Sequence, residues 1–346
     1  MKQDRDTIGT SSRALGICLA AAMLAGCGGS QPLVGTPGAI QQSVAQSLPL
    51  AQHDAIAAHG DDRSSWMAPD AVTQDLLYVG GNSGDVTVYS YPKGKLLGTL
   101  TGFNLPAGEC VDKAGDVFIT DLALSKIFEY RHGGKKPIQI LQSAAYDPAG
   151  CAIDPTTGNL AVTSLGRGSS GNVAIFPHAQ GTPTTYTDPN IYNYFWCGYD
   201  PQGNLYLDGE AYNPKPFKFA ELPKGSSTFT DITLPLKMYF PGGVQWDGKY
   251  VAVGDQAHNS QPTGIIFQFK VTGSRATLEG TTTLGGSEYV QQFWIQSPRV
   301  IGGNSGGSHY NEVHYWNYPA GENPTKTITK GVGGPQGTVV SLAPDR

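Results

Sequence analysis

The chain has 346 residues, with 46 Gly, 24 Pro and 17 Tyr, and only 15% of its residues are charged. Gly and Pro supply turns and aromatic residues suit pleated surfaces, so this composition favours many short β-strands over long helices. The formal net charge is -5. Because the sequence also lacks a Lys/Arg stripe, we expect no nucleic-acid partner.

The first 26 residues have the pattern of a secretory signal peptide. Basic residues precede an apolar stretch from Ala14 to Ala25, which is too short to remain in a bilayer. The stretch ends in Leu24-Ala25-Gly26-Cys27. This resembles the bacterial lipoprotein lipobox, whose pattern ends in a small residue followed by the modified cysteine. The resemblance implies cleavage after residue 26 and lipidation of Cys27; an ordinary signal peptide is the alternative.

A lipidated Cys27 would make the chain an exported protein of the bacterial cell envelope. More than one acyl chain gives stable membrane anchoring. Gly28 follows the cysteine where the inner-membrane retention signal of some lipoproteins has Asp, so the outer membrane is favoured in a Gram-negative source. Residues 27–63 are rich in Gly, Ser, Gln, Ala and Pro without strand alternation, and we interpret them as a flexible tether.

A hairpin pattern recurs through residues 64–346. An aromatic or apolar residue, a short polar or Pro-containing stretch and a glycine repeat six times, with intervals of 39, 48, 44, 48 and 48 residues between the closing glycines. These glycines are Gly94, Gly133, Gly181, Gly225, Gly273 and Gly321. A period near 45 without helical signals is typical of a β-propeller built from four-stranded antiparallel blades. We therefore predict an all-β domain, a six-bladed β-propeller.

Blade 3 shows the pattern most clearly. Its strands are predicted at Gly150–Asp154, Asn159–Thr163, Gly171–Phe176 and Thr184–Thr187, from two-residue alternation interrupted by Gly, Pro and Asn. An aspartate recurs at the turn after the first strand in four blades, where its carboxylate is expected to accept backbone N–H groups. These residues are Asp112, Asp154, Asp200 and Asp247.

The two ends of the domain are predicted to close the ring in one blade. The segment from Gly337 to Pro344 looks like another first strand with no blade behind it. A ring must close, because an open edge of unpaired amides promotes aggregation. We expect this strand to complete blade 1, with Ser65–Asp70 displaced or paired beside it; which of the two lies innermost is left open.

The Asp-x-x-Gly turns followed by apolar strands resemble NHL-type six-bladed propellers of the bacterial envelope. The resemblance covers about residues 64–344 and implies a binding or assembly module more often than an enzyme. Some six-bladed lactonases of the gluconolactonase/paraoxonase type hold a divalent cation, such as Ca²⁺, with Glu, Asn and Asp of several inner strands. Here Glu109 is matched by Cys151, Cys197, Val244 and Phe293, which are poor ligands for a hard cation. A metal-dependent hydrolase is therefore the alternative, and we expect no metal or other cofactor.

Three cysteines, Cys110, Cys151 and Cys197, lie on the predicted first strands of consecutive blades. We favour buried thiols, on the expectation that neighbouring inner strands lie too far apart for a disulfide. A Cys151–Cys197 or Cys110–Cys151 bridge is the alternative in an oxidising compartment.

Aromatic residues at the predicted starts of the inner strands indicate a ligand-binding rim at the channel mouth. With Glu109, which is predicted to face the channel, the candidate residues are Tyr192, Tyr194, Trp196, Tyr289 and Trp294. Such a rim could stack on sugars or hold a peptide, and packing between blades is the alternative role. The sequence thus favours a monomeric, non-enzymatic envelope lipoprotein that binds a protein, peptide or glycan.

Overall fold

The computed structural model describes residues 64–256 and 263–344. The expectations for residues 1–63, namely the signal peptide, the lipidated Cys27 and the tether, lie outside the described residues. The described chain is a six-bladed β-propeller, and this confirms the predicted fold class. Short 3₁₀ turns occur at Ala71–Thr73, Pro177–Ala179 and Gly307–His309. Within the described ranges, none of the helical segments has the length and apolar character needed to cross a membrane.

Strands within each blade are antiparallel and mostly joined by short turns. The first half of the ring contains β1 (Trp66–Met67), β2 (Leu76–Gly81), β3 (Val86–Ser90), β4 (Leu96–Leu100), β5 (Pro106–Val111), β6 (Val117–Asp121), β7 (Lys126–Tyr130), β8 (Pro137–Gln142), β9 (Pro148–Ile153), β10 (Leu160–Ser164), β11 (Asn172–Phe176) and β12 (Thr184–Tyr186). The second half contains β13 (Asn193–Tyr199), β14 (Leu205–Glu210), β15 (Phe217–Leu222), β16 (Thr230–Asp231), β17 (Pro241–Trp246), β18 (Val251–Asp255), β19 (Gly264–Thr272), β20 (Arg275–Leu284), β21 (Phe293–Gln296), β22 (Arg299–Asn304), β23 (Glu312–Asn317), β24 (Gly321–Ile328) and β25 (Pro335–Ser341). The strands β9 to β12 overlap the four segments predicted for blade 3.

Each of blades 2 to 6 uses four consecutive strands, with the first strand innermost. Blade 2 is β5–β8, blade 3 is β9–β12, blade 4 is β13–β16, blade 5 is β17–β20 and blade 6 is β21–β24. Blades 5 and 6 also touch at their outer strands, through a parallel pair between Leu284 and Glu322. The inner strands β25, β5, β9, β13, β17 and β21 are neighbours around the ring, which places the core between successive blades.

Blade 1 closes the ring with strands from both ends of the domain. Its strand order is β25-β2-β3-β4-β1 from the channel outward. The C-terminal strand β25 takes the inner position, where Val340 pairs with Leu77. The N-terminal strand β1 lies at the opposite edge, where Trp66 pairs with Thr99. The prediction that both ends meet in blade 1 is confirmed, and the structure assigns the inner position to β25.

A glycine near the start of most inner strands allows the strands to approach one another closely. Four inner strands begin with Pro-x-Gly, and these glycines are Gly108, Gly150, Gly243 and Gly337. A Cβ on Gly108 would lie 2.1 Å from the carbonyl oxygen of Ala149, and one on Gly337 would lie 1.9 Å from that of Ala107. Real side chains do not tolerate such distances, so glycine is required where one inner strand packs directly on the backbone of the next.

Threonines of the second strands join neighbouring blades at these positions. The Thr120 hydroxyl accepts the Gly108 N–H at 2.8 Å and donates to the Ala149 carbonyl of the next blade at 2.9 Å. Thr163 repeats the arrangement with the Gly150 N–H at 3.0 Å and the Phe195 carbonyl at 2.6 Å. The inner strands are bulged here, so one hydroxyl satisfies backbone groups that lack a regular ladder partner.

The Gly337→Ala substitution tests whether this close approach holds the ring together. Overpacking against the Ala107 carbonyl is expected to lower the free energy of unfolding by about 3 kcal/mol. The control Gly158→Ala places a side chain where φ is +74° but nothing lies within 4 Å, so only the backbone cost of about 1–2 kcal/mol applies. Urea unfolding measures both variants. Equal destabilisation by the two substitutions would contradict the proposed packing.

Candidate functional site

A cavity of about 300 Å³ lies in the channel, where the inner strands of blades 2 to 6 end. We call this end of the channel the lower mouth, and the end where loops enter the inner strands the upper mouth. The cavity wall includes the half-buried aromatic side chains of Tyr199, Trp246 and Trp294, together with Val111 and Ile153. The arrangement offers a concave, largely apolar surface that opens towards the turns between first and second strands.

The turn aspartates hold the ends of the inner strands in place. Asp112 accepts the N–H groups of Ala114 at 2.8 Å and Asp116 at 2.9 Å. Asp200 accepts the N–H groups of Gln202 and Asn204, each at 2.9 Å. The predicted capping role of these aspartates is confirmed, and it positions the preceding residues, among them Val111 and Tyr199, at the cavity wall.

Two of these carboxylates keep their charge although they are partly buried. Burial raises the pKa of Asp154, but hydrogen bonds from Thr157 and Thr156 outweigh it, and the net pKa is lowered. The pKa of Asp247 is likewise lowered, because hydrogen bonds from Tyr318 and Gln268 outweigh burial. Both turns are therefore held by an ionised carboxylate at neutral pH.

Two glutamines in the cavity wall use their amide groups to pair with the backbone of other blades. Gln245 of blade 5 donates to the Ile295 carbonyl at 3.1 Å and accepts the Ile295 N–H at 2.7 Å. Gln292, next to β21 of blade 6, donates to the Glu109 carbonyl at 2.6 Å and accepts the Glu109 N–H at 2.9 Å. Gln292 thus links blade 6 to blade 2, and it also accepts the Thr338 N–H of blade 1 at 3.3 Å.

Glu109 lies at the inner end of the cavity, but its carboxyl group does not project into open channel. The side chain is fully buried, and Oε1 would lie 2.8 Å from a Cβ on Gly80 of blade 1. Neither carboxyl oxygen accepts a hydrogen bond of normal geometry. The prediction that Glu109 faces the channel mouth is corrected: its carboxyl occupies the space beside Gly80, where a larger residue would leave no room.

Burial sets the protonation state of Glu109. Loss of solvation raises its pKa from the ordinary 4.5 to about 8, and the nearby Gly80 amide offsets this only in part. The carboxyl group is therefore mostly protonated and neutral at pH 7. A neutral acid is compatible with the apolar junction between blades 1 and 2, where an unpaired carboxylate would be costly.

The Glu109→Gln variant tests this assignment through the pH dependence of stability. Between pH 4.5 and 8 native Glu109 holds a proton that the unfolded chain has released, so the free energy of unfolding falls as the pH rises. The slope approaches about 1.4 kcal/mol per pH unit for this group. Glu109→Gln is expected to remove that slope in urea unfolding measured from pH 5 to 8.

The exposed Glu279→Gln substitution is the control for this measurement and should leave the wild-type slope unchanged. Parallel pH profiles for wild type and Glu109→Gln would contradict a protonated, buried carboxyl group.

The residues in the register of Glu109 do not suit a divalent cation. Glu109 pairs with Ile119, and the corresponding ladder positions in blades 3 to 6 are held by Cys151, Cys197, Val244 and Phe293. A hard cation needs several oxygen ligands, and this ring supplies one carboxyl group. Within residues 64–256 and 263–344, no group of three His, Cys, Asp or Glu side chains could hold a metal ion. The donor set therefore does not fit the calcium centre of the lactonase alternative.

Cys110 and Cys151 form a disulfide between blades 2 and 3, with the Cα atoms 5.7 Å apart. The favoured expectation of three buried thiols is therefore wrong for this pair, because inner strands that pack backbone to backbone come within disulfide range. Cys197 is a free, buried thiol, and burial raises its pKa. Cys110 stands directly after Glu109, and the equivalent residue before Cys197 in the ring is Ala152, which cannot form a bridge.

The predicted aromatic residues do not form one rim. Tyr194 is fully buried, and its hydroxyl donates to the Asp188 carbonyl at 3.1 Å. Trp196 is 3% exposed and packs in the core with residues of β17 to β19. For these two residues the packing alternative holds, because alternate side chains of an inner strand face the neighbouring blades.

The other three candidates are separated between the two mouths. Tyr192 is half-buried and lies against Tyr212, with ring centroids 4.7 Å apart. Tyr289 is half-buried beside Gly306 in the loop that leads into blade 6. Trp294 is the second residue of β21 and lines the lower cavity together with Glu109. The structure thus brings only Trp294 and Glu109 together, at the mouth opposite to the predicted rim.

Sequence reasoning missed Tyr199, Trp246, Gln245 and Gln292 as cavity residues. The signal for Tyr199 and Trp246 is their position directly before the turn aspartates Asp200 and Asp247. That position ends an inner strand in each blade, so large side chains there converge on the axis. No comparable signal exists for the two glutamines, because their partners lie 50 and 183 residues away in the sequence.

Comparison with known proteins supports the fold. The chain is similar to a chain in the crystal structure of a nidogen/laminin complex, with a TM-score of 0.61 and 15% identity over 78% of this chain and 99% of that one. It is also similar to a protein of unknown function from Bacteroides caccae, with a TM-score of 0.58 and 12% identity over 78% of this chain and 99% of that one. No family model and no curated protein sequence matches the chain. At these identities the similarity shows the β-propeller fold alone.

Proposed function

We propose that this protein is a lipid-anchored binding module of the bacterial cell envelope, whose propeller holds a protein, peptide or glycan partner without catalysing a reaction on it. The observation that carries this proposal is the cavity at the lower mouth, with Tyr199, Trp246 and Trp294 in its wall. Half-buried aromatic side chains in a concave site provide large contact areas at low entropic cost, and such residues often dominate binding energy.

The polar side chains of the cavity wall support binding over catalysis. Gln245 and Gln292 are engaged with the backbone of neighbouring blades, and Asp200 caps its own turn. A general acid, base or nucleophile must be able to reach the reacting atom of a substrate. Side chains that already hold the ring together are poorly placed for that role.

A similar ring occurs in a protein–protein assembly, since one structural neighbour is a chain of a nidogen/laminin complex. This analogy supports a partner-binding role, although the fold by itself specifies no partner. Export and anchoring rest on the sequence: the signal-peptide pattern ends at Cys27, and residues 27–63 would hold the domain away from the membrane. The proposed location is the outer membrane in a Gram-negative source, with the protein acting as a monomer.

Screening the full-length protein against peptide and glycan arrays tests the binding function. We expect a retained ligand whose affinity falls at least about 10-fold in Trp294→Ala, because this substitution removes a large part of the cavity wall. The control is Trp66→Ala, since Trp66 is 45% exposed on the outer edge of blade 1. Chemical turnover of an array member, or a ligand indifferent to Trp294→Ala, would contradict the proposal.

The Cys27→Ser variant tests the membrane anchor. Loss of the thiol prevents acylation, so the protein is expected to move from the membrane fraction to the soluble fraction of a bacterial host. Membrane fractionation and mass measurement of the N-terminal peptide report the outcome. An unmodified N-terminus in the wild type, or unchanged membrane association of Cys27→Ser, would show that Cys27 is not the anchor.

A further inference from the structure

The wall of the lower-mouth cavity leaves few polar side chains for a ligand. Both amide groups of Gln245 and Gln292 are paired with backbone N–H and carbonyl groups at 2.6–3.1 Å. Both carboxylate oxygens of Asp200 accept hydrogen bonds, from Gln202, Asn204 and the Asn204 side chain. The carboxyl group of Glu109 lies beside Gly80 of blade 1. The side chains that remain for contact are apolar or aromatic.

This wall discriminates against ligands that carry many hydroxyl groups. Each hydroxyl moved from water into a site without a partner costs about 1–3 kcal/mol. A neutral apolar group carries no such cost and gains free energy from the area that it buries. The volume of about 300 Å³ is also at the lower end of the range for ligand sites.

We propose that the lower-mouth cavity accepts one neutral apolar group, and that this group is a side chain presented by a partner polypeptide; this inference rests on the proposed binding function. The Gln292–Glu109 hydrogen bonds lie at the inner end of the cavity and limit its depth. A single aliphatic or aromatic side chain matches this depth better than a long acyl chain. A free apolar lipid shares the chemistry, so the experiment includes it as a separate ligand.

Calorimetric titration of the full-length protein with four small probes tests the proposal. The probes are N-acetyl-phenylalaninamide, N-acetyl-tyrosinamide, N-acetylglucosamine and 1-decanol. The phenylalanine probe is expected to bind about 10–100-fold more tightly than the tyrosine probe, which differs by one hydroxyl. Tighter binding of N-acetylglucosamine would overturn the apolar class, and tighter binding of 1-decanol would overturn the side-chain source.

Two variants locate this binding in the cavity. Trp246→Leu is expected to weaken the phenylalanine probe at least about 10-fold, because it removes contact area from the wall, whereas Trp66→Leu at the outer edge of blade 1 leaves the affinity unchanged. Val111→Thr keeps the shape but adds a hydroxyl to the wall, so it should narrow the difference between the phenylalanine and tyrosine probes. This second variant remains informative if Trp246→Leu does not fold.

Equal binding of the phenylalanine probe by wild type, Trp246→Leu and Val111→Thr would overturn the cavity assignment. These results are distinguishable from failure of the proposed function. A glycan from the array screen that depends on Trp294 would refute the apolar class and support a binding module. A partner that binds independently of both tryptophans would refute the cavity site.

Discussion

Direct backbone packing between neighbouring inner strands is the constraint on which the rest of this structure depends. At Gly108 and Gly337 a Cβ would approach the carbonyl of the next strand to 2.1 and 1.9 Å, so the strands touch where other residues would separate them. This contact sets the width of the channel. It also brings Cys110 and Cys151 within bonding distance and lets Thr120 and Thr163 bridge successive blades. A narrow ring leaves space for one small cavity.

Two blades depart from the glycine pattern, and these departures give the channel its character. The residue before the ladder position shared by Glu109, Cys197 and Phe293 is Gly108 in blade 2, Trp196 in blade 4 and Gln292 in blade 6. Trp196 fills the core between blades 4 and 5. Gln292 reaches the Glu109 backbone and lies at the inner end of the cavity. A nearly symmetric scaffold thereby acquires one distinctive mouth.

Much of the architecture was predictable, because each blade repeats the same local instructions. The hairpin glycines, the turn aspartates such as Asp112 and Asp200, and the two-residue alternation each depend on neighbouring residues in the sequence. The unpaired last strand predicted closure in blade 1, and β25 completes that blade. The candidate site was predicted less well: Trp294 and Glu109 line the cavity, but Tyr194 and Trp196 are buried in the core. Aromatic residues on an inner strand suit either environment, and local pattern does not distinguish them.

The amino-acid sequence by itself determined the repeat, the number of blades and the position of closure, since these follow from local turn chemistry and from hydrophobic periodicity. Tertiary structure alone decided which cysteines pair, where the Glu109 carboxyl lies and which glutamines join the blades. These outcomes depend on the distance between inner strands of different blades. That distance is set by how closely their backbones pack around the axis, and residues separated by 41 to 183 positions carry no local signal of it.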